Sequence, residues 1–246
     1  DVLTRSPSSA QDAVAIIGAG QACAALADLR PAQLWMLAVG DDAIAPACAA
    51  LAQAQPLAGA VVFHCSGAKS SAELQAARDA GALVASVHPV RSFADPAAVA
   101  AGFAGTFCGI EGDPEALALL EPAFEALGAR LVRIDPAAKT VYHAAAVFAS
   151  NYLVTVVDAA LRAYQAAGVP EAVARELARP LATEALANVF RLGPEAALSG
   201  PVARGDFATV ARQQDAVTRW DAPTGQLYEA LVAPTAALAR RKRGAA

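Results

Sequence analysis

Residues able to move protons stand together in Lys139-Thr140-Val141-Tyr142-His143-Ala144-Ala145-Ala146-Val147-Phe148-Ala149-Ser150-Asn151-Tyr152. On a helix, Lys139 and His143 are i and i+4 and share a face, and positions 147, 150 and 151 continue that stripe. Lys139, His143 and Asn151 can therefore line one wall of a cleft, where a Lys or His could give or take a proton while a hydride moves. The plainer reading makes His143 a buried, hydrogen-bonded core residue and Asn151 a polar group that fixes helix packing. The residue pattern leaves both open.

A second group of polar residues follows three short apolar runs. Val39-Gly40-Asp41-Asp42-Ala43-Ile44 follows the first, His64-Cys65-Ser66-Gly67 the next, and Val87-His88-Pro89-Val90-Arg91-Ser92-Phe93 the third. Small and polar residues thus collect at the carboxyl ends of successive strands, where open α/β sheets bind ligands. Ordinary turn chemistry explains Gly40 and Gly67 by themselves and explains His88-Pro89 less well. Asp1-Val2-Leu3-Thr4-Arg5-Ser6 reads as the end of a further strand. An Arg and a Ser just after the second strand of an NADP-type site grip the ribose 2′-phosphate by charge and hydroxyl bonds. By pattern alone, a solvated chain end is the stronger reading of Arg5 and Ser6.

Ala13-Val14-Ala15-Ile16-Ile17-Gly18-Ala19-Gly20 imitates the strand and glycine turn of a dinucleotide fold, and Asp41 falls where a ribose-binding acid would. Three features weaken it. The third glycine of the motif is Cys23, only thirteen residues separate Gly20 from Leu34, and Pro31 interrupts them. The same residues read well as a helix over 10–17, capped by Ser8 or Ser9 and stopped by Gly18 or Gly20.

The elements that must position these groups are legible as apolar runs bounded by turn residues. Runs at 34–39, 60–65, 83–88, 106–110 and 130–134 read as strands buried on both faces, as in a parallel sheet. Helix-like segments lie between them at 41–54, 71–80 and 114–127. Asp113 serves as N-cap with Pro114 at N1, and Gly81 and Gly128 stand at helix stops. From about residue 135 no strand-like run occurs. One long helix is expected over 139–167, ended by Gly168-Val169-Pro170, with further helices over 170–192, 206–216 and 222–243. The pattern is an α/β domain at 1–135 followed by an all-helical domain at 136–246.

Composition narrows the function class. The chain has 246 residues, 56% hydrophobic and 17% charged, with a mean hydropathy of +0.39 and a net charge of −4. Apolar content is ample for a core, and the acidic balance argues against a nucleic-acid partner. Charges or prolines are expected to interrupt every apolar run before the roughly 18 residues of a membrane span. The start shows no apolar leader behind a basic end. Cys23, Cys48, Cys65 and Cys108 form no metal-binding or redox pair, so no metal site is expected, and they read as buried thiols of a cytoplasmic, reducing compartment. Cys65 beside His64 is not expected to be a nucleophile, since strand neighbours point to opposite faces. The basic end Arg240-Arg241-Lys242-Arg243 reads as a helix C-terminus.

The ordered stretches at 37–44, 64–68, 88–93 and 142–152, with Ser199-Gly200-Pro201-Val202-Ala203-Arg204-Gly205-Asp206, resemble the Rossmann-like proteins with a DUF2520 C-terminal domain. These look like distant relatives of pyrroline-5-carboxylate reductase and the coenzyme-F420-dependent NADP oxidoreductases. The resemblance implies a Rossmann-like, mostly parallel sheet followed by an all-α domain that pairs two subunits into a homodimer. It implies NADP (NAD is possible) and a small-molecule substrate, with no nucleic acid or membrane partner. The family's glycine fingerprint lies upstream of the Thr4-Arg5-Ser6 equivalent, so a first strand–turn–helix unit of about thirty residues is expected to be missing. Arg5, Ser6, Val39, Gly40, Asp41, Ser66 and Gly67 become the expected cofactor contacts. The substrate is expected between His88 and the Lys139–His143–Asn151 face, with Lys139 or His143 as the acid. The alternative is a non-catalytic dimeric sensor of a dinucleotide or small ligand, which keeps the cleft but needs no proton donor.

Overall fold

The computed structural model describes residues 1–244. They divide into two compact units between Ser150 and Asn151, later than the loss of strand pattern near residue 135. Lys139, Tyr142 and His143 therefore belong to the same unit as the sheet.

The first unit begins with β1 (Val2–Leu3), paired in parallel with β2 (Ala22–Cys23). Helix α1 (Pro7–Ile17) joins them. Its N-cap is Ser6, whose hydroxyl accepts from the Ser9 N–H at 3.2 Å, and Gly18 closes it in the left-handed conformation. The cap lies earlier than Ser8 or Ser9 because Pro7 suits the first helical turn, where its missing N–H costs nothing. Gly18 and Gly20 thus follow the negative end of a helix, which repels phosphate. The helical reading of this stretch holds, and the phosphate-loop reading fails. The two-residue β2 carries no apolar run and left no sequence signal.

The main sheet has the order β3 (Leu34–Leu37), β4 (Val61–His64), β5 (Leu83–Pro89), β6 (Phe107–Gly112), β7 (Arg130–Arg133). β3, β4 and β5 are mutually parallel, β6 runs antiparallel to β5, and β7 is parallel to β6. The reversal could not be read from the chain, because a continuous apolar run looks the same in either direction. Gly112 ends β6 at φ +145°, and a Cβ there would lie 2.5 Å from the Ala85 Cα and the Val84 carbonyl. Only glycine permits that close approach of the two strands.

Helices cover both faces. On one, Val61, Phe63, Val87 and Ile110 pack against Leu117 and Leu120 of α5 (Pro114–Ala126). On the other, Val62 and Val84 pack against Ile44, Cys48 and Leu51 of α2 (Ile44–Ala54), and against Leu74 and Ala77 at the start of α3 (Gln75–Asp79) and just before it. β3 departs from the expected burial on both faces. Trp35 and Leu37 are half-buried, whereas Leu34 and Met36 are 51% and 57% exposed. Among the described residues β3 therefore has one unpaired edge and one uncovered face. A short helix absent from the expectations above, α4 (Pro96–Ala101), is capped by Asp95, the same start signal as at Asp113-Pro114.

Asp113 stands at the N-cap of α5 without making the capping bond. Its carboxylate accepts from the Val84 N–H at 2.8 Å and from Arg78 at 2.8 Å. It thereby satisfies a strand amide that has no ladder partner, a stronger demand than a helix end that water can reach.

The helix expected over 139–167 is two helices, α6 (Lys139–Ala149) and α7 (Asn151–Ala166). Ser150 leaves helical geometry at φ −128°, and its hydroxyl donates back to the Ala146 carbonyl at 2.8 Å. Such back-bonding competes with the helix ladder and bends it. The expectation that charges or prolines interrupt every long apolar run also needs correction. Across the break, Pro136–Ala166 contains an 18-residue window long and apolar enough to cross a membrane, with mean hydropathy 1.6.

The second unit is helical throughout: α7, α8 (Glu171–Leu192), α9 (Pro194–Ala197), α10 (Pro201–Arg204), α11 (Phe207–Trp220) and α12 (Ala222–Gly244). Arg162 on α7 binds Asp158, Asp221 and Thr224 and lies over the Trp220 ring. Asp206 uses its carboxylate to cap α11 through the Thr209 N–H. The basic end sits in the last turn of α12, where Lys242 donates to the Leu198 carbonyl at 2.7 Å.

Asp113→Ala is expected to lower stability by about 1–3 kcal/mol, because it strands the Val84 amide. Urea denaturation measures this, and an unchanged midpoint would contradict the assignment.

Candidate active site

The site is built around Lys139. As the first residue of α6 it enters the interior, where its side chain is 2% exposed. Its ammonium donates to the Ser66 carbonyl at 2.9 Å and to the Ser86 hydroxyl, and faces the Glu111 carboxylate at 3.6 Å. Glu111 in turn accepts from the Ser71 N–H at 2.8 Å and the Ser71 hydroxyl at 2.7 Å. Burial pushes the lysine's pKa below its ordinary value, and the adjacent Glu111 charge opposes that fall. A buried cation needs such a set of acceptors, since an unpaired one would be strongly destabilising.

The Ser66–Gly67 turn follows β4 and is fixed from two sides. Lys139 holds the Ser66 carbonyl, and the Ser66 N–H donates to Nδ1 of His64 at 3.1 Å. His64 Nδ1 is therefore an acceptor, so Nε2 carries the proton and donates to the Ser70 carbonyl at 3.1 Å. Burial lowers the His64 pKa, consistent with this neutral tautomer. A Cβ at Gly67 would lie 2.8 Å from the His88 ring, so glycine there lets the imidazole stack on the turn.

His88 stands near the end of β5. Its Nδ1 is 3.0 Å from the Tyr142 hydroxyl, and the two rings meet edge to face. The His143 ring lies 5.6 Å from the His88 ring, and His143 Nδ1 is buried without a hydrogen-bond partner among the described residues. Burial and then the neighbouring His143 depress the His88 pKa to about 4. The Tyr142 hydroxyl reaches its place because Gly109 on β6 has no side chain to block it. At neutral pH the pocket thus presents an uncharged His88 imidazole beside the His143 ring and the Tyr142 phenol, groups able to hold or pass a proton.

The other expected contacts fall as follows. Val39 is 44% exposed, Gly40 has open space around it, and Asp41 is exposed. The Asp41 charge is felt by His64, His88 and Lys139, which puts it on the same side of the sheet end. Arg5 is exposed at the end of β1, and the Ser6 hydroxyl is engaged as the α1 cap. Asn151 opens α7 in the second unit, so the helical stripe from His143 does not reach it unbroken. Burial drives the Cys65 thiol up to about 11, which leaves it protonated and unsuited to nucleophilic attack.

Residue reasoning passed over Glu111, Ser86, Ser71 and Tyr142. A signal existed for the first two. Glu111 closes the run Phe107-Cys108-Gly109-Ile110, and Ser86 interrupts Val84-Ala85 and Val87. A charge or hydroxyl within a strand buried on both faces requires a partner.

No curated protein matches the sequence. The family described as domain of unknown function DUF2520 matches residues 106–235. Among solved structures, the chain is similar to a protein from Thermotoga maritima at 27% identity and a TM-score of 0.75, over 98% of this chain and 90% of that one. It is similar to a proposed NADP oxidoreductase from Bacteroides fragilis at 22% identity and a TM-score of 0.78, over 96% and 87% of the two chains. An imine reductase from Myxococcus stipitatus in complex with NADP+ aligns at 13% identity and a TM-score of 0.65, over 99% and 85%. These likenesses establish a Rossmann-like fold followed by a helical unit.

The His88 ring is expected to titrate near about 4, and His143→Ala is expected to raise that midpoint. Removing the second imidazole relieves both a competing charge and part of the burial. NMR titration of the ring protons reads this directly; an ordinary midpoint in the unaltered protein would refute the packing described.

Proposed function

We propose, from the premise that this chain belongs to the DUF2520 family, that it is an NADP-dependent oxidoreductase acting on a small substrate. The observation that carries this reading is the cluster of His88, His143 and Tyr142 at the carboxyl end of the sheet, beside the open ledge of Val39, Gly40 and Asp41. Open α/β sheets bind ligands at this edge. The proposed NADP oxidoreductase and the NADP+-bound imine reductase to which the fold is similar support the same cofactor.

The residues present fit part of that cofactor. Val39 and Gly40, with Ser66 and Gly67, offer a backbone surface without bulky side chains for the nicotinamide ribose, and Arg5 offers a cation for a 2′-phosphate. Gly18 and Gly20 do not fit a pyrophosphate, because they lie at the wrong end of α1. When bound, the cofactor supplies or accepts a hydride. His143, whose Nδ1 lacks a protein partner, holds the proton for the substrate. Tyr142 and His88 orient that ring and exclude water. Lys139 acts from behind by fixing the Ser66–Gly67 turn.

A second reading, a non-catalytic dinucleotide sensor, is favoured by one observation. The Lys139 ammonium is fully engaged by Ser66, Ser86 and Glu111 and has no proton to offer a ligand. His143→Ala separates the two readings. In an oxidoreductase it slows deuteride transfer from labelled NADPH by about 10²–10⁴-fold while leaving NADPH affinity nearly unchanged. Titration of the unaltered protein with NADPH and NADH comes first. Binding of NADPH in preference to NADH, lost in Arg5→Ala, is expected, and no binding of either at millimolar concentration sinks both readings.

The helical unit is proposed to pair with a second copy of the chain. Leu181 on α8 is 64% exposed, Phe190 on the same helix 86%, and Val154 on α7 69%. Apolar exposure on this scale marks an interaction surface. Sedimentation is expected to give a dimer that Leu181→Glu dissociates; a monomer at all concentrations would contradict the pairing.

A further inference from the structure

Glu111 is the least accounted-for group in the site. It is a carboxylate at 3% exposure, directly opposite Ser86 in the β5–β6 register. Both of its oxygens are engaged, one by the Ser71 N–H and the other by the Ser71 hydroxyl, and the first also faces Lys139. Lys139 continues the chain to the Ser66 carbonyl and the Ser86 hydroxyl, and the Ser86 hydroxyl donates to the same Ser66 carbonyl at 3.3 Å. One line of polar contacts thus runs from the loop before α3, through β6 and the start of α6, to the turn that touches His88. Of these groups Glu111, Ser71, Lys139 and Ser86 are all buried, and only the Ser66–Gly67 turn stands at the site.

We infer that Glu111 is a positioning residue for the proposed oxidoreductase site, acting through Lys139 to hold the Ser66–Gly67 turn against the His88 ring. The inference rests on the function proposed above, since that turn is the one assigned to the nicotinamide ribose. The physical logic is geometric. The ammonium can hold the Ser66 carbonyl only while it stays at the depth of β6, and Glu111 is the sole anion in contact with it there among the described residues. Without that carboxylate, burial favours either loss of the lysine's proton or its escape toward water. Either change frees the turn, and Gly67 no longer packs on His88. The ionisable groups facing Lys139 are Glu111 on β6, Asp41 beyond β3, His64 and Cys65 at the end of β4, and His88 on β5.

The test compares Glu111→Gln with Leu57→Ala in the full chain. Leu57 is a buried core residue before the far end of β4, so its variant loses stability without touching the turn. Two readouts are taken: the NMR titration of the His88 ring and the pH dependence of NADPH affinity. Glu111→Gln is expected to move the His88 midpoint upward and to make NADPH affinity fall about tenfold between pH 6 and pH 9, as an unpaired Lys139 loses its proton. Leu57→Ala is expected to leave both as in the unaltered protein. If Glu111→Gln does not fold, Ser71→Ala, which loosens the carboxylate but keeps its charge, must move the His88 midpoint in the same direction. A Glu111→Gln protein that is destabilised like Leu57→Ala, yet keeps the original His88 midpoint and a flat affinity profile, would overturn the inference. If the unaltered protein binds no NADPH, the proposed function fails, and the positioning of the turn is still decided by His88 alone.

Discussion

Lys139 carries a full charge into the interior of the first unit, and the groups around it are arranged to solvate that charge with protein instead of water. A buried ammonium without partners would neutralise or drag its helix outward, at a cost of several kcal/mol. The Ser66 carbonyl, the Ser86 hydroxyl and the Glu111 carboxylate prevent this, and each comes from a different segment of the chain. The start of α6, the turn after β4, the middle of β5 and the end of β6 are therefore bound to one point. Hydrophobic burial on the two sheet faces supplies most of the driving force for folding, but it is not directional. The polar set around Lys139 decides the register of these segments to within a hydrogen bond.

That register determines the chemistry available at the sheet end. Because the turn is held, Gly67 can lie against His88, and because β6 carries Gly109, the Tyr142 hydroxyl can reach the same ring. The His143 ring then lies beside His88, and burial keeps the His88 imidazole uncharged at neutral pH. A charged histidine pair at this spacing would repel. An uncharged imidazole can accept a proton and give it back, the property the proposed hydride-transfer site needs from its protein. Lys139 and His143 share a helix face, as their spacing requires, yet they have different situations. One is saturated by protein acceptors, and the other keeps a nitrogen without a partner among the described residues.

The strands and most helices were legible because the apolar runs of the sheet are short, bounded by turn residues and separated by helix-like segments. The turn glycines at 81 and 128 take the positive φ that their places demand. Other features were hidden for identifiable reasons. β2 is two residues long and has no period. The antiparallel entry of β6 leaves no trace in an apolar run. Asp113 carries a correct capping signature, but the buried Val84 amide claims its carboxylate. Ser150 breaks a stretch whose hydropathy alone reads as continuous helix, because its hydroxyl returns to the Ala146 carbonyl.

By itself the sequence determined the class of this protein: an α/β unit with polar residues at its strand ends, a helical unit after it, and a short list of groups able to move protons. Local rules suffice for that, since period, capping and turn chemistry act over a few residues. Which of those groups meet was decided only by the tertiary structure. His88 and His143, Gly67 and His88, and Lys139 and Glu111 are far apart in the chain, and their contacts depend on strand order and register. Glu111 illustrates the division. Its charge inside an apolar strand announced that a partner must exist, while the identity of that partner waited on the placement of α6 against the sheet.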